Sequence, residues 1–406
     1  MVKLMLAVVI LAGGVFCGLR LASQKLLWND ELFTQVETID RLSTRTILEA
    51  RFPEGNLSPL FYLGQKFICR LADYRLPVAW RGEFCVYEPR GQVLLRILPV
   101  VCMSLAVALI FLYFSWRESV GFGLLSAAVT LSGFSIWAFL PEARPYALWV
   151  LLCALQGMLF MEILGPQKEN SARRIWVWLA VVNGLLSLTI FFAALPIVAV
   201  SAVLLVRDRT RYWRWCVPVT VIPLAVCVLY YVLSKRTYPN LSQEPASVLL
   251  MLKGGLTMVF SGALWAQRDL ILTNVPPFWF YFIAAGSLAS AACRVPAGTA
   301  GMAGSKAVVD GLLAAFLLML GMALAVIVWF LGWKASGNFG VAERYFIFLT
   351  PAALLLIVAL IRHGWYLTEN DRWGRLIVIV GTGSMIALSS LWTYVHLMKW
   401  GPFWSV

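Results

Sequence analysis

The stretch LLWNDELFTQ (residues 26–35) sets two adjacent acids, Asp30 and Glu31, directly after the first apolar segment, in a chain with only 13% charged residues. A carboxylate fixed at the mouth of a membrane span is suited to take a proton from a hydroxyl group. A second stretch, LPEARPYALW (140–149), holds Glu142 and Arg144 between two prolines, followed by Tyr146. An arginine at the bilayer edge offers a fork of donors that fits a lipid-linked phosphate. A third, NFGVAERYFIF (338–348), brings Glu343 and Arg344 ahead of a late apolar run. Each has a plainer reading. Asn29 or Asp30 suits a helix N-cap, with Glu31 against the positive end of the dipole. Arg144 suits a snorkelling helix end, and Glu343 with Arg344 an ordinary helix-end pair.

The elements that must position these residues follow from composition. The 406 residues are 61% hydrophobic, whereas soluble domains carry about a quarter charged residues. This is the composition of an all-α polytopic membrane protein, divided into spans of about 20 residues. The net charge of +13 does not point to nucleic acid, because the basic residues are not gathered into one patch or arm and many sit in short loops, although the two long loops carry bases too. The eight cysteines form no CxxC, and His363 and His396 are the only histidines, so no Cys/His zinc site is apparent.

Apolar runs at about 4–22, 93–115, 119–140, 146–164, 175–189, 191–206, 215–233, 276–293, 311–331, 345–361 and 375–397 predict about eleven transmembrane helices. With the N-terminus inside, the short loops carrying Arg117, Arg173, Arg174, Arg207, Arg209, Arg211, Arg214, Lys306, Arg362 and Arg372 are cytoplasmic. The opposite short loops hold only Arg144, Lys334 and Arg344. The whole chain, 1–406, reads as one transmembrane domain. Residues 1–22 form an uncleaved first span and 23–92 an outer loop; 93–233 hold spans two to seven. A second long outer loop covers 234–275, spans eight to eleven cover 276–397, and 398–406 form a short outer tail.

In the first outer loop, Leu32, Phe33, Val36, Ile39 and Leu42 share one helical face opposite Thr34, Gln35, Glu37, Asp40 and Arg41. That pattern predicts a helix lying flat on the membrane. Leu60, Leu63, Phe67, Ile68 and Leu71 repeat it, so two interfacial helices are expected. Cys69 and Cys85 share this loop and are either free thiols or a disulfide. NLS at Asn56 and Asn240 is a glycosylation pattern, and TNVPPFWFY (273–281) an interfacial aromatic entry. The Gly/Ala-rich VPAGTAGMAGSK lacks phosphate-loop spacing.

A first span followed by NDE, then LSPLFYL, EARPYAL and finally ERYF resembles the GT-C glycosyltransferases. Within them it is most similar to the RgtA/B/C/D-like group, related to the protein O-mannosyltransferases and the aminoarabinose transferase. The resemblance covers residues 1–205 well and the remainder mainly through span order and ERYF. It implies a GT-C-like bundle and a sugar donor carried on a polyprenyl phosphate. The sugar would pass with inversion to a glycan, lipid or protein hydroxyl on the periplasmic or lumenal face. Carried over, Asp30 matches the catalytic acid, Glu31 its acidic neighbour, and Arg144 the arginine that meets the donor phosphate. Glu142, Tyr146 and Arg344 are pocket candidates. Relatives often read His-Pro-Pro where this chain has Leu57-Ser58-Pro59, and the large soluble C-terminal domain of some relatives is absent.

The chemistry suits these residue types. An oxocarbenium-like state needs a carboxylate base on one face of the sugar and cationic help for the leaving phosphate on the other. Glu31 would raise the pKa of Asp30 by like-charge repulsion or help hold a divalent ion, the one cofactor left open. The competing class is a transporter or flippase of a lipid-linked sugar. Its ionisable sites would be expected near the bilayer midplane, where the predicted spans are almost free of acids. The absence of a large outer domain favours a bacterial inner membrane and a glycolipid or polysaccharide acceptor.

Overall fold

The computed structural model describes residues 1–49, 59–76, 85–165, 169–235, 300–334, 347–368 and 371–399. An unbroken apolar run makes α1 (Val2–Gln24), about 35 Å long at 1.5 Å per residue and so sufficient for a bilayer core. It packs on α6 (Ile97–Arg117). The close approach depends on two glycines one turn apart. A Cβ on Gly14 would stand 2.7 Å from the Ser104 hydroxyl oxygen, and one on Gly18 would collide with Val100 and Leu140. Small residues at this spacing let membrane helices touch backbone to backbone.

The first outer loop contributes α2 (Asn29–Phe33), which continues as a π-helical stretch over Thr34–Asp40. It also contributes α3 (Thr44–Leu48), α4 (Pro59–Leu71) and α5 (Pro89–Leu94). A short antiparallel pair, β1 (Leu27–Trp28) with β2 (Cys85–Val86), closes it. Of the face predicted to be polar, Thr34 and Gln35 are buried, Glu37 and Asp40 half-buried and Arg41 exposed; Leu32 and Ile39 of the apolar face are buried as well. The difference from a helix lying flat on the membrane has a physical cause. Lys66 of α4 donates to the carbonyls of Ile39 and Leu42, and Gln35 donates to Asp40 at 2.8 Å, so the polar side has partners inside the loop. Cys69 and Cys85 are both free thiols.

Beyond α6 the chain runs through α7 (Val120–Ser132), α8 (Phe134–Phe139), α9 (Tyr146–Leu164), α10 (Glu169–Ser187) and α11 (Ala194–Arg207). Next come α12 (Arg209–Cys216) and α13 (Ile222–Lys235), joined by a π-helical turn over Val217–Val221. The last described helices are α14 (Ala300–Lys334), α15 (Leu349–Leu367) and α16 (Arg372–Lys399). Ion pairs Arg117–Glu162, Arg362–Glu118 and Arg207–Asp310 gather loops at one end of the bundle. The opposite end is tied to the first outer loop by Leu60 N–H donating to Leu188 O and Tyr230 OH to Leu48 O, both at 3.1 Å.

Seven helices among the described residues are long and apolar enough to cross a membrane. They match the predicted runs at 4–22, 93–115, 146–164, 215–233, 311–331, 345–361 and 375–397. Three other runs coincide with helices of a different form. The run at 119–140 is divided at Gly133, whose backbone is extended, and Trp137 Nε1 donates at 2.7 Å to the Leu131 carbonyl near that break. The run at 175–189 is the end of α10, and 191–206 is a helix of shorter span. The run at 276–293, TNVPPFWFY, both NLS asparagines and the second long loop from 236 onward lie outside the described residues.

A polar clamp holds the middle of this bundle. Pro223 has no N–H to give the Val219 carbonyl four residues before it. Asn183 of α10 donates to that carbonyl at 2.8 Å and accepts from Gln156 of α9 at 2.8 Å.

The glycine contact generates a stability test. Gly18→Val is expected to lower thermal stability in detergent by about 1–3 kcal/mol through overpacking. Gly13→Val, at a position with no atom within 4 Å, should melt as the wild type does. Equal melting of both variants would show that α1 does not rest on α6 in this way.

Candidate functional site

The site is built around a buried arginine. Arg96, at the start of α6, has no solvent exposure, and neither has the side chain of Glu31. Arg96 Nε donates to Glu31 Oε1 at 2.9 Å and Nη2 to Glu31 Oε2 at 2.5 Å. Its remaining donors reach the carbonyls of Ala22 (2.9 Å), Lys25 and Leu26 (2.6 Å). All five guanidinium N–H groups therefore have acceptors. Three of those are carbonyls at and just beyond the C-terminus of α1, which its own ladder leaves open.

Glu31 is equally occupied. Besides the two arginine bonds it accepts from Ala143 N–H at 2.6 Å and from Trp28 N–H at 3.3 Å. The second of these caps α2, whose N-cap is Trp28 rather than Asn29 or Asp30. The first draws the 142–144 turn onto the first outer loop. Burial pushes the Glu31 carboxyl up, but Arg96, Lys25 and the Ala143 N–H together hold it below its ordinary value of 4.5. Burial likewise pushes the Lys25 ammonium down, opposed by Glu142 and then Glu31.

Asp30 is placed differently. Its side chain is 25% exposed, and its Oδ2 lies 3.7 Å from Arg144 Nη2. Arg144 does not snorkel. It is buried, and Nη1 donates to Asp30 O at 3.2 Å and to Thr34 Oγ1 at 2.5 Å. Glu142 is buried in the same turn, and the Arg144 N–H donates to its carbonyl at 2.7 Å. Tyr146 opens α9 fully buried, edge-on to Phe139 at 5.1 Å between ring centroids.

The first two motifs, far apart in sequence, thus meet in one place. Glu343 and Arg344 lie outside the described residues, but Phe348, the last residue of their motif, stacks on Trp149 at 5.3 Å. Three site residues escaped the sequence reading. Arg96 carried a usable signal, a lone charge inside the apolar run GQVLLRILPV, which in a membrane protein demands a partner. Lys25 stands just before the acidic motif, and Thr34 has no distinguishing pattern. Among the described residues no three His, Cys, Asp or Glu side chains are grouped to hold a metal ion. Glu31, the second donor that a divalent ion between the two acids would need, is engaged by four hydrogen bonds.

Two outcomes follow for Glu31. Glu31→Gln leaves the Arg96 charge buried without its counter-ion and is expected to cost about 3–5 kcal/mol, measured by thermal unfolding in detergent. Asp30→Asn should cost far less. Because the folded Glu31 value is depressed, its contribution is complete above pH 4.5 and is lost as pH falls through the lower folded value. Wild-type melting temperature should therefore drop on acidification below that point, with a shallower drop in Glu31→Gln. Parallel acid limbs would contradict the assignment. No known family model matches the chain, and a search of curated proteins found no match.

Proposed function

We propose that the protein is an integral-membrane glycosyltransferase of GT-C type that moves a sugar from a polyprenyl-phosphate donor to an acceptor hydroxyl. The carrying observation is the pairing at the end of the helical bundle. A partly exposed carboxylate, Asp30, stands 3.7 Å from the buried guanidinium of Arg144, while its neighbour Glu31 is consumed by internal hydrogen bonds. In this reading Asp30 takes the proton of the acceptor hydroxyl as that oxygen bonds to the anomeric carbon. The bond from that carbon to the phosphate oxygen breaks, and Arg144 stabilises the departing phosphate. Inversion follows from attack on the face opposite the phosphate.

Glu31 then serves as a positioning residue. It holds the backbone at Trp28, ahead of Asp30, and at Ala143, ahead of Arg144, and the Arg96 charge beside it offsets its repulsion of Asp30. Tyr146, Glu142 and Arg344 remain the proposed lining of the donor site, with the lipid tail along the apolar helices. The bundle of about eleven spans, the bacterial inner membrane, the periplasmic face and a glycolipid or polysaccharide acceptor complete the proposal.

The test offers the purified protein a panel of radiolabelled polyprenyl-phosphate sugars with extracted membrane lipids as acceptors. Wild type should transfer label, and Asp30→Asn should lower the rate by about 10²–10⁴-fold with donor binding and melting temperature retained. Equal transfer by both would remove Asp30 from the mechanism. Movement of labelled lipid across a bilayer without transfer would favour a flippase.

A further inference from the structure

The end of the bundle opposite Asp30 carries arginines that the proposed reaction does not use. In α12, Arg209, Thr210, Arg211, Trp213 and Arg214 are exposed, while Tyr212 is buried and Trp215 half-buried. At 100° per residue these fall into two opposed arcs, a protein-facing aromatic side and a cationic outer side. Trp213 lies on the outer side at 58% exposure.

A second helix carries basic residues at the same end of the bundle and at the same depth. The bond from Asn183 to the Val219 carbonyl fixes the level of α10 against the turn after α12. Both helices run towards the end that packs on the first outer loop. Ten residues before Asn183 and ten before Val219 stand Arg173 and Arg209. Both therefore lie about 15 Å below the shared bond, at one depth. Arg174 adjoins Arg173, and Trp178, one turn further along the same side, is 60% exposed.

Carboxylates answer only part of this charge. Arg207 faces Asp310 at 3.8 Å and Arg211 faces Asp208 at 3.7 Å. Among the described residues no carboxylate pairs with Arg173, Arg174, Arg209 or Arg214, and all four are exposed. An exposed tryptophan beside arginines, as Trp213 is at the start of the Arg209–Leu233 helix able to cross a membrane, suits the headgroup level of a bilayer. Basic clusters just outside a span attract anionic lipid.

We propose that this arginine–tryptophan face binds the phosphate headgroups of anionic phospholipids in the leaflet at that end. The guanidinium forks would engage phosphate oxygens bidentately, and Trp213 would lie in the interface beside them. The site is independent of the transfer reaction.

The full chain, purified in a neutral detergent, would be titrated with phosphatidylglycerol, phosphatidylcholine or inorganic phosphate, with melting temperature and lipid retained in native mass spectra as readouts. Phosphatidylglycerol should raise the melting temperature saturably and remain bound, and phosphatidylcholine should not. Arg209→Gln should raise the half-saturating phosphatidylglycerol concentration about fivefold. Arg173→Gln/Arg174→Gln/Arg209→Gln/Arg214→Gln should raise it on the order of 100-fold or more. The corresponding lysine variants should fall between wild type and the glutamine variants, because an ammonium keeps the charge but not the bidentate fork. Arg41→Gln/Arg45→Gln, at the opposite end, should respond as wild type. An unchanged response in the single and quadruple glutamine variants would overturn the proposal. So would an equal effect of phosphatidylcholine, or its full reproduction by inorganic phosphate.

Discussion

The buried pair of Arg96 and Glu31 is the constraint on which the Asp30 end of the molecule depends. Taking two ions out of water costs several kcal/mol each, and their attraction repays this only when the remaining donors and acceptors are also satisfied. Here the guanidinium reaches three backbone carbonyls as well as Glu31, and Glu31 reaches two backbone N–H groups. The pair thereby joins the end of α1, the start of α2 and the 142–144 turn. Removing either partner strands the other charge together with several backbone groups. Asp30 follows from this arrangement: with its neighbours pinned on both sides, its carboxylate is held at the surface beside Arg144.

A similar economy governs the membrane-spanning part. Helices in an apolar medium must satisfy their own backbone groups, and polar side chains cluster where the ladder is interrupted. Asn183 serves the carbonyl that Pro223 leaves open, Trp137 donates near the break at Gly133, and Thr393 Oγ1 donates at 2.8 Å to the Ser132 carbonyl beside the same break. Contact between α1 and α6 is secured instead by the small residues Gly14, Gly18 and Ser104. Several polar side chains among the described residues thus serve faults in regular structure.

Arginine is used in three physical states. Arg96 is saturated and structural. Arg144 is buried and bonded to Asp30 O and Thr34 Oγ1, with Asp30 Oδ2 3.7 Å from its guanidinium. Arg209 and Arg214 are exposed and turned to the surroundings. The same side chain therefore differs in setting with burial and the acceptors within reach, neither of which residue identity reveals.

Much of the layout was legible from the chain. Length and apolarity marked the helices, because a span must exceed a fixed thickness and exclude charge. The loops around Arg117, Arg207 and Arg362, predicted to share one side, are joined by ion pairs at one end of the bundle. The acids at 30–31 and the arginine at 144 stood out as rare charges at predicted span ends. What the sequence could not divide was the labour between Asp30 and Glu31, since adjacent residues of like chemistry differ only in where a helical turn points them. Nor could it foresee that Thr34 and Gln35 are buried, or that Lys66 reaches the carbonyls of Ile39 and Leu42, because those partners lie across a loop. Local pattern determined which residues are rare and which segments are apolar. The tertiary structure alone decided which carboxylate meets Arg96 and which faces Arg144, because those contacts link positions 65 and 114 residues apart in the chain.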